Sequence, residues 1–163
     1  MSSLEIQRIG WSDVDRLAPL WESLRRHHVE LVPGLARQPS QRSWQIRRAL
    51  YEHVLGDPEA FALVAVEAGA DIGYALVALH DGPDDTWVTG DRIAEVETLA
   101  VLPEARGRGV GTALLDRVDE ELERIGVRDL RIAVVPTNSD AVRFYERRGL
   151  RPFLTVLGRF PDV

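Results

Sequence analysis

Cysteine and lysine are both absent from the 163 residues. Without cysteine there is no disulfide, no thiolate zinc site and no cysteine acyl-enzyme. Without lysine the P-loop, whose Lys reaches the outer phosphates of a nucleotide, cannot be present. All 20 basic side chains are arginine. Long apolar runs are missing too: Phe61 to Val66 and Tyr74 to Leu79 fall well short of the roughly 20 residues that cross a bilayer. Met1 to Gln7 lacks the basic-then-apolar pattern of a secretory leader, so the expectation is a cytoplasmic protein away from membranes. There are no internal repeats and no single-residue tracts. With 26 acidic against 20 basic residues the formal charge is −6, opposite in sign to the footprint of a nucleic-acid binder and better suited to a cationic partner. The 45% hydrophobic and 28% charged content fits one soluble globular domain over residues 1–163, built on one core.

Leu4, Ile6 and, less regularly, Ile9 alternate with polar residues and predict a first strand ending at Gly10. Ser12 is the expected N-cap of a helix whose stripe is Leu17, Trp21, Leu24 and His28, stopping near Pro33-Gly34. Ser40 opens a second helix, with Ile46, Ala49, Leu50, His53 and Val54 on one face and Trp44, Arg48, Tyr51 and Leu55 on another. Phe61 to Ala68 and Ile72 to His80 read as a hairpin joined by Gly69-Ala70-Asp71. After a polar loop, Ile93 to Val101 is a strand and Gly109 to Ile125 a helix capped by Gly126. Leu130 to Val135 is a strand, Asn138 to Arg148 a helix stopped by Gly149, and Leu150 to Phe160 the last strand or two. The order β-α-α-β-β-β-α-β-α-β indicates an α/β fold, a central mixed sheet with helices on both faces.

The most informative segment runs from Leu99 through Pro103, Arg106, Gly107, Arg108 and Gly109 to Val110 and Gly111, a strand turning through glycines into a helix. Glycines let backbone approach a ligand closely, and the free N–H groups of a helix N-terminus favour an anion, phosphate above all. Arg106 and Arg108 add positive charge. The dinucleotide pattern G-x-G-x-x-G fails, since its last glycine would fall on Thr112 or Leu114. What Arg106, Gly109 and Gly111 do match is R-x-x-G-x-G after an L-x-V strand, which resembles the pyrophosphate loop of the GCN5-related N-acetyltransferases, the GNAT family. Downstream, Asn138, Ala141, Phe144, Tyr145, Gly149 and Leu150 resemble that family's N-x-x-A-x-x-F-Y-x-x-x-G-[FL] element. The two motifs cover about residues 93 to 152; residues 1 to 80 resemble the family only in element order.

The resemblance implies an acyltransferase of GNAT-like fold, moving acetyl from acetyl-coenzyme A to an amine by direct attack in a ternary complex, with no metal. It implies that the backbone from Arg106 through Gly107, Arg108, Gly109 and Val110 to Gly111 holds the pyrophosphate, and that Leu99 and Val101 pair with pantetheine as an added strand would. An amide near Leu99 would donate to the developing oxyanion. Asn138 is either a pantetheine contact or simply a helix N-cap. Tyr145 would protonate or hydrogen-bond the departing thiolate, and its alternative is a ring packed beside Phe144. A phenol is a weaker acid than a thiol, which favours the hydrogen bond.

The arriving ammonium needs a base, and Glu95 and Glu97, two apart on one strand and so on the same face, are the candidates. Glu95 aligns with the base of one family branch; a strand bulge would alter the phase and keeps Glu97 open. His28, Trp44 and Tyr51 are candidate lining for the acceptor, against a packed reading for His28. The acceptor, small molecule or protein, is not identified by the residues. A homodimer through the terminal strands is a common assembly of the resembled family, while the residues leave the oligomeric state open. Two rival readings remain: a non-catalytic acyl-coenzyme A sensor of the same fold, and an α/β domain binding another nucleotide.

Overall fold

The structure, a computed structural model, describes residues 3–160. Five strands, β1 (Glu5–Ile9), β2 (Phe61–Glu67), β3 (Ala70–Asp81), β4 (Arg92–Val101) and β5 (Asp129–Ile132), lie side by side in chain order. The first four are antiparallel neighbours, and β5 joins β4 in parallel. A parallel pair needs a crossover. Helix α3 (Val110–Ile125) supplies it; α1 (Ala18–Leu31), α2 (Ser40–Val54) and α4 (Ser139–Arg147) complete the helices. The mixed sheet with helices on both faces is as expected.

Strand alternation divides the interior in two. From β2, Phe61, Leu63 and Ala65 face a core filled by Val110, Leu114, Val118 and Leu122 of α3. Ala62 and Val64 face a second core built on Leu17, Leu20 and Tyr51, from the α1 and α2 side. Burial on both faces explains why β2 reads as a continuous apolar run rather than an alternating one. The hairpin turns at Ala68-Gly69, with φ of 51° and 77°, rather than through Gly69-Ala70-Asp71; paired left-handed residues give the twist a two-residue turn requires.

Two irregularities in β4 position everything that follows. Leu76 pairs with Thr98 and Val77 with Val96, so Glu97 is an extra residue, a β-bulge. The parallel ladder with β5 also stops at Val96↔Ile132, so Glu97 to Val101 have no strand on that edge.

Four further expectations are corrected. Ser12 is not an N-cap: a 3-10 turn spans Trp11–Leu17, with Gly10 as its cap, and the α-helix begins at Ala18. Pro19 sits in the first turn of that helix, the place where a missing N–H costs nothing. On α2 the faces are exchanged. Tyr51 is fully buried while Ile46 and Leu50 are exposed. The aromatic face wins because Tyr51 buries a large ring and still finds partners for its hydroxyl, and Trp21 Nε1 donates to Ser43 Oγ at 3.0 Å beside it. The strand expected over Leu130 to Val135 is the shorter Asp129–Ile132. The final strand over Leu150 to Phe160 is not formed: 151–160 is irregular, and Leu154, Val156 and Leu157 lie exposed. Pro152 removes a ladder donor at the start of that run, and β5 offers an edge of only four residues to pair with.

Glu121 on α3 locks the helix to β1. It is 5% exposed, accepts from Arg8 at 2.7 Å and pairs with Arg117 at 2.8 Å and Arg124 at 3.0 Å. Burial alone would raise its pKa; the three guanidiniums outweigh it and hold the carboxyl below the ordinary range. Stability from this group is therefore present above the ordinary carboxylate pKa and is lost as pH falls through the depressed one. Glu121→Gln is expected to cost about 2 kcal/mol in urea unfolding at neutral pH, with the difference from wild type shrinking at acid pH.

Candidate active site

The loop after β4 has the geometry of an anion cradle. Gly107 and Gly109 carry φ of 69° and 83°, a region open to glycine, and a Cβ added to either would meet nothing within 4 Å. The space above them is therefore free for a ligand. Gly109 caps α3 with no side chain bonded to the helix N-terminus, so the first-turn N–H groups remain available. Gly111 has another reason: its Cβ would lie 3.5 Å from Phe144 and 3.9 Å from Val101, which marks where α3, β4 and α4 close together. Arg106 stays exposed, with Nε donating to the Val101 carbonyl at 3.0 Å. Arg108 is held by Glu67 at 2.6 Å, which offsets its charge.

Beside the cradle lies the unpaired edge of β4, Glu97 to Val101, with the side chains of Leu99 and Val101 packed toward the α3 core. Tyr145 of α4 joins that core at 9% exposure, edge-on to Phe144 at 5.4 Å between centroids. Burial raises its pKa, keeping the phenol protonated at any physiological pH. Arg148 fastens α4 to α3 through Asp116 and Asp119, both at 2.8 Å. Asn138 is the N-cap of α4, accepting from Ala141 N at 3.4 Å.

The opposite face of β4, under α1 and α2, carries the titratable groups. Glu95 and Glu97 approach His80 of β3, and one ligand atom from each lies within 4.8 Å of the others. Glu95 is already engaged: Arg131, its register partner on β5, donates to Oε2 at 2.7 Å. His80 Nε2 lies 3.0 Å from the same oxygen, at an angle that leaves it without a formed hydrogen bond. Glu97 has no ion pair among the described residues. Its pKa is raised by burial first and by the Glu95 charge second, with Arg47, His80 and Arg131 opposing. Such a triad suits a cation; an ammonium needs no coordination geometry, and a metal would compete with Arg131 for Glu95.

Beneath the bulge, Tyr51 of α2 hydrogen-bonds Thr98 and meets the Tyr74 hydroxyl at 2.9 Å. Tyr51, expected as candidate lining for the acceptor, thus anchors α2 to the sheet from inside the core. Trp44 is half-buried, edge-on to Tyr51 at 6.4 Å. His28 is half-buried, and burial lowers its pKa. Sequence reading overlooked His80, Arg131 and Arg47. A signal existed for His80, an ionisable residue at the end of a predicted strand, although its pairing with the glutamate strand comes only from the structure. For Arg131 only the β4–β5 register reveals it.

Residues 21–150 match the acetyltransferase (GNAT) family. The chain is 32% identical over 161 residues, 97% of its length, to a mycothiol acetyltransferase of Propionibacterium freudenreichii subsp. shermanii. It spans 46% of that relative, less than half its length. An acetyltransferase of Yersinia enterocolitica is 30% identical over 145 residues, covering 88% of this chain and 85% of the relative. Among solved structures, an aminoglycoside N-acetyltransferase in complex with CoA superposes with a TM-score of 0.72 at 19% identity, over 100% of this chain and 97% of that one. A GCN5-related N-acetyltransferase from Ralstonia eutropha gives 0.77 at 20% identity, over 97% and 99%. No helix among the described residues is long and apolar enough to cross a membrane.

Because the neighbouring charge on Glu95 contributes to the raised pKa of Glu97, Glu95→Gln is expected to lower it. Carboxyl-carbon NMR titration of wild type and variant measures the direction; an unmoved Glu97 would separate the two carboxylates.

Proposed function

The chain belongs to the acetyltransferase (GNAT) family, and from that premise we propose that it moves an acetyl group from acetyl-coenzyme A to a primary amine by direct attack in a ternary complex. The observation that carries this reading is the adjacency of an open, uncapped phosphate cradle to a strand edge that loses its parallel neighbour at Val96 and bulges at Glu97. The pyrophosphate rests on the N–H groups from Arg106 to Gly111, with Arg106 as the uncompensated cation. Pantetheine runs along Leu99 and Val101 as an added strand, and a backbone amide of that edge donates to the oxyanion.

Glu97 is the better base. Glu95 is tied to Arg131, whereas Glu97 is unpaired and holds its proton more tightly than an ordinary carboxylate, which suits accepting one from an ammonium near neutrality. The nitrogen, once deprotonated, attacks the carbonyl carbon; the C–N bond forms, the C–S bond breaks and the thiolate leaves. Tyr145, kept neutral by burial, donates a hydrogen bond to that thiolate, with the final proton coming from solvent. Asn138 spends its carbonyl on the α4 cap and keeps its amide N–H groups for pantetheine. A sensor that only binds acyl-coenzyme A would have no use for an unpaired glutamate beside the open edge. Residues 1–163 act as one such domain, on an acceptor that is a small molecule or a protein.

Calorimetric titration with acetyl-coenzyme A, against ATP and NAD as controls, is expected to give selective micromolar binding. Gly109→Leu, which places a side chain at a left-handed position where phosphate approaches, should abolish that binding; wild-type affinity in the variant would remove the loop from the site. Glu97→Gln should lower kcat/KM by about 10² to 10³ and remove the limb along which the rate falls with falling pH, while Tyr145→Phe should lower kcat with acetyl-coenzyme A affinity held within a few fold. An unchanged pH profile in Glu97→Gln would return the role to Glu95.

A further inference from the structure

Among the described residues, Arg47 is the half-buried arginine without a carboxylate partner. Other arginines lacking such a partner among the described residues, including Arg106, Arg128 and Arg147, are exposed. Arg47 is half-buried on α2 and lies against Trp21 of α1. Its guanidinium carbon lies 3.9 Å above the centre of the Trp21 ring and 5.6 Å from that of Tyr51. Stacking occupies the face of a guanidinium and leaves its in-plane N–H donors free. Those donors form a fork matched to carboxylate or phosphate oxygens. Trp21 is itself fixed by its bond to Ser43, so the guanidinium is held ready before any ligand arrives.

The opposite charge stands across the same face. Arg47 lies against the Tyr51 ring, and the Tyr51 hydroxyl hydrogen-bonds Thr98, the residue next to Glu97, so the two charges flank one aromatic contact; no ion pair joins them among the described residues. A half-buried carboxylate and a half-buried guanidinium, neither with an ion-pair partner among the described residues and both beside the Tyr51–Thr98 contact, are complementary to a ligand bearing both charges. We propose that the acceptor is a primary amine carrying an anionic group, a carboxylate or phosphate a few bonds from the nitrogen, with the nitrogen at Glu97 and the anion on the fork of Arg47. The assignment rests on the acyl-transfer reading of the same site. It makes Arg47 a specificity residue and disfavours polycationic acceptors, which would bring positive charge against it.

The test uses matched amines: α-amino acids with their primary amides, and phosphoethanolamine with ethanolamine, scored by thiol release from acetyl-coenzyme A. The wild type is expected to favour the anionic member of a pair by tenfold or more in kcat/KM, mainly through KM. Arg47→Gln should collapse that ratio toward unity, and Arg47→Lys, which keeps charge but loses the fork, should restore it in part. The relative rates of the amino-acid and phosphate pairs say which anion is read. Preference for neutral amines or polyamines, or a ratio unchanged in Arg47→Gln that melts like wild type, overturns the proposal. Should acetyl-coenzyme A bind without turnover, calorimetry of the same pairs on the coenzyme A complex decides it: selective binding of the anionic member supports Arg47, and equal or absent binding overturns it. Failure to bind acetyl-coenzyme A at all overturns the acyl-transfer reading and this one with it.

Discussion

One extra residue in one strand organises this protein. Before Glu97, β4 turns Ala94 and Val96 toward the α3 core; after it, Leu99 and Val101 take that side while Thr98 and Ala100 face the α1 and α2 core. The bulge reverses the phase of the strand without ending it. Both cores stay filled, and two acidic side chains and a hydroxyl are brought to the same face. The parallel ladder to β5 stops at the same point. The edge freed there, the cradle at the head of α3 and the charged groups under α2 all follow from that break in register.

Arginine carries the electrostatics alone. Its fork satisfies carboxylates that would otherwise be costly to bury, as with Glu121, and ties elements distant in sequence, as when Arg16 bonds Asp71 at 2.6 Å or Arg92 bonds Asp57 at 2.6 Å. This pairing is what gives the exceptions meaning. Glu97 and Arg47 remain unpaired at half-buried positions, where an unsatisfied charge costs more than it does at the surface.

The α1 and α2 side of the sheet is less regular than the α3 side. It is bounded by α1 and α2, whose mutual packing runs through Trp21, Ser43 and Tyr51 rather than through a continuous aliphatic seam. Aromatic rings with polar tips pack densely while presenting hydrogen-bonding atoms, so this interface can hold a stacked arginine at its rim. Ile46 and Leu50, the aliphatic residues that periodicity assigned to the interior, are left on the outside of α2.

The sequence alone accounts for the local features: the strand, glycine loop and helix around Arg106 to Gly111, the pairing of β2 and β3 as a hairpin, the α3 stripe and the α/β order. Each depends on dihedral preference, capping or periodicity within a few residues, which are written in the chain. It also named Glu95 and Glu97 together, because alternation puts both on one face. Their environments differ for reasons that lie in the assembled fold. Arg131 reaches Glu95 through the β4–β5 register, the bulge sets Glu97 apart, and Arg47 and His80 arrive from elements remote in sequence. The same holds for the buried face of α2, chosen by what Thr98 and Tyr74 offer beneath it, and for 151–160, where strand-forming residues meet too short an edge to pair with. Local propensity says what a segment can become; which side it shows, and to which charge, depends on partners that only the assembled sheet brings within reach.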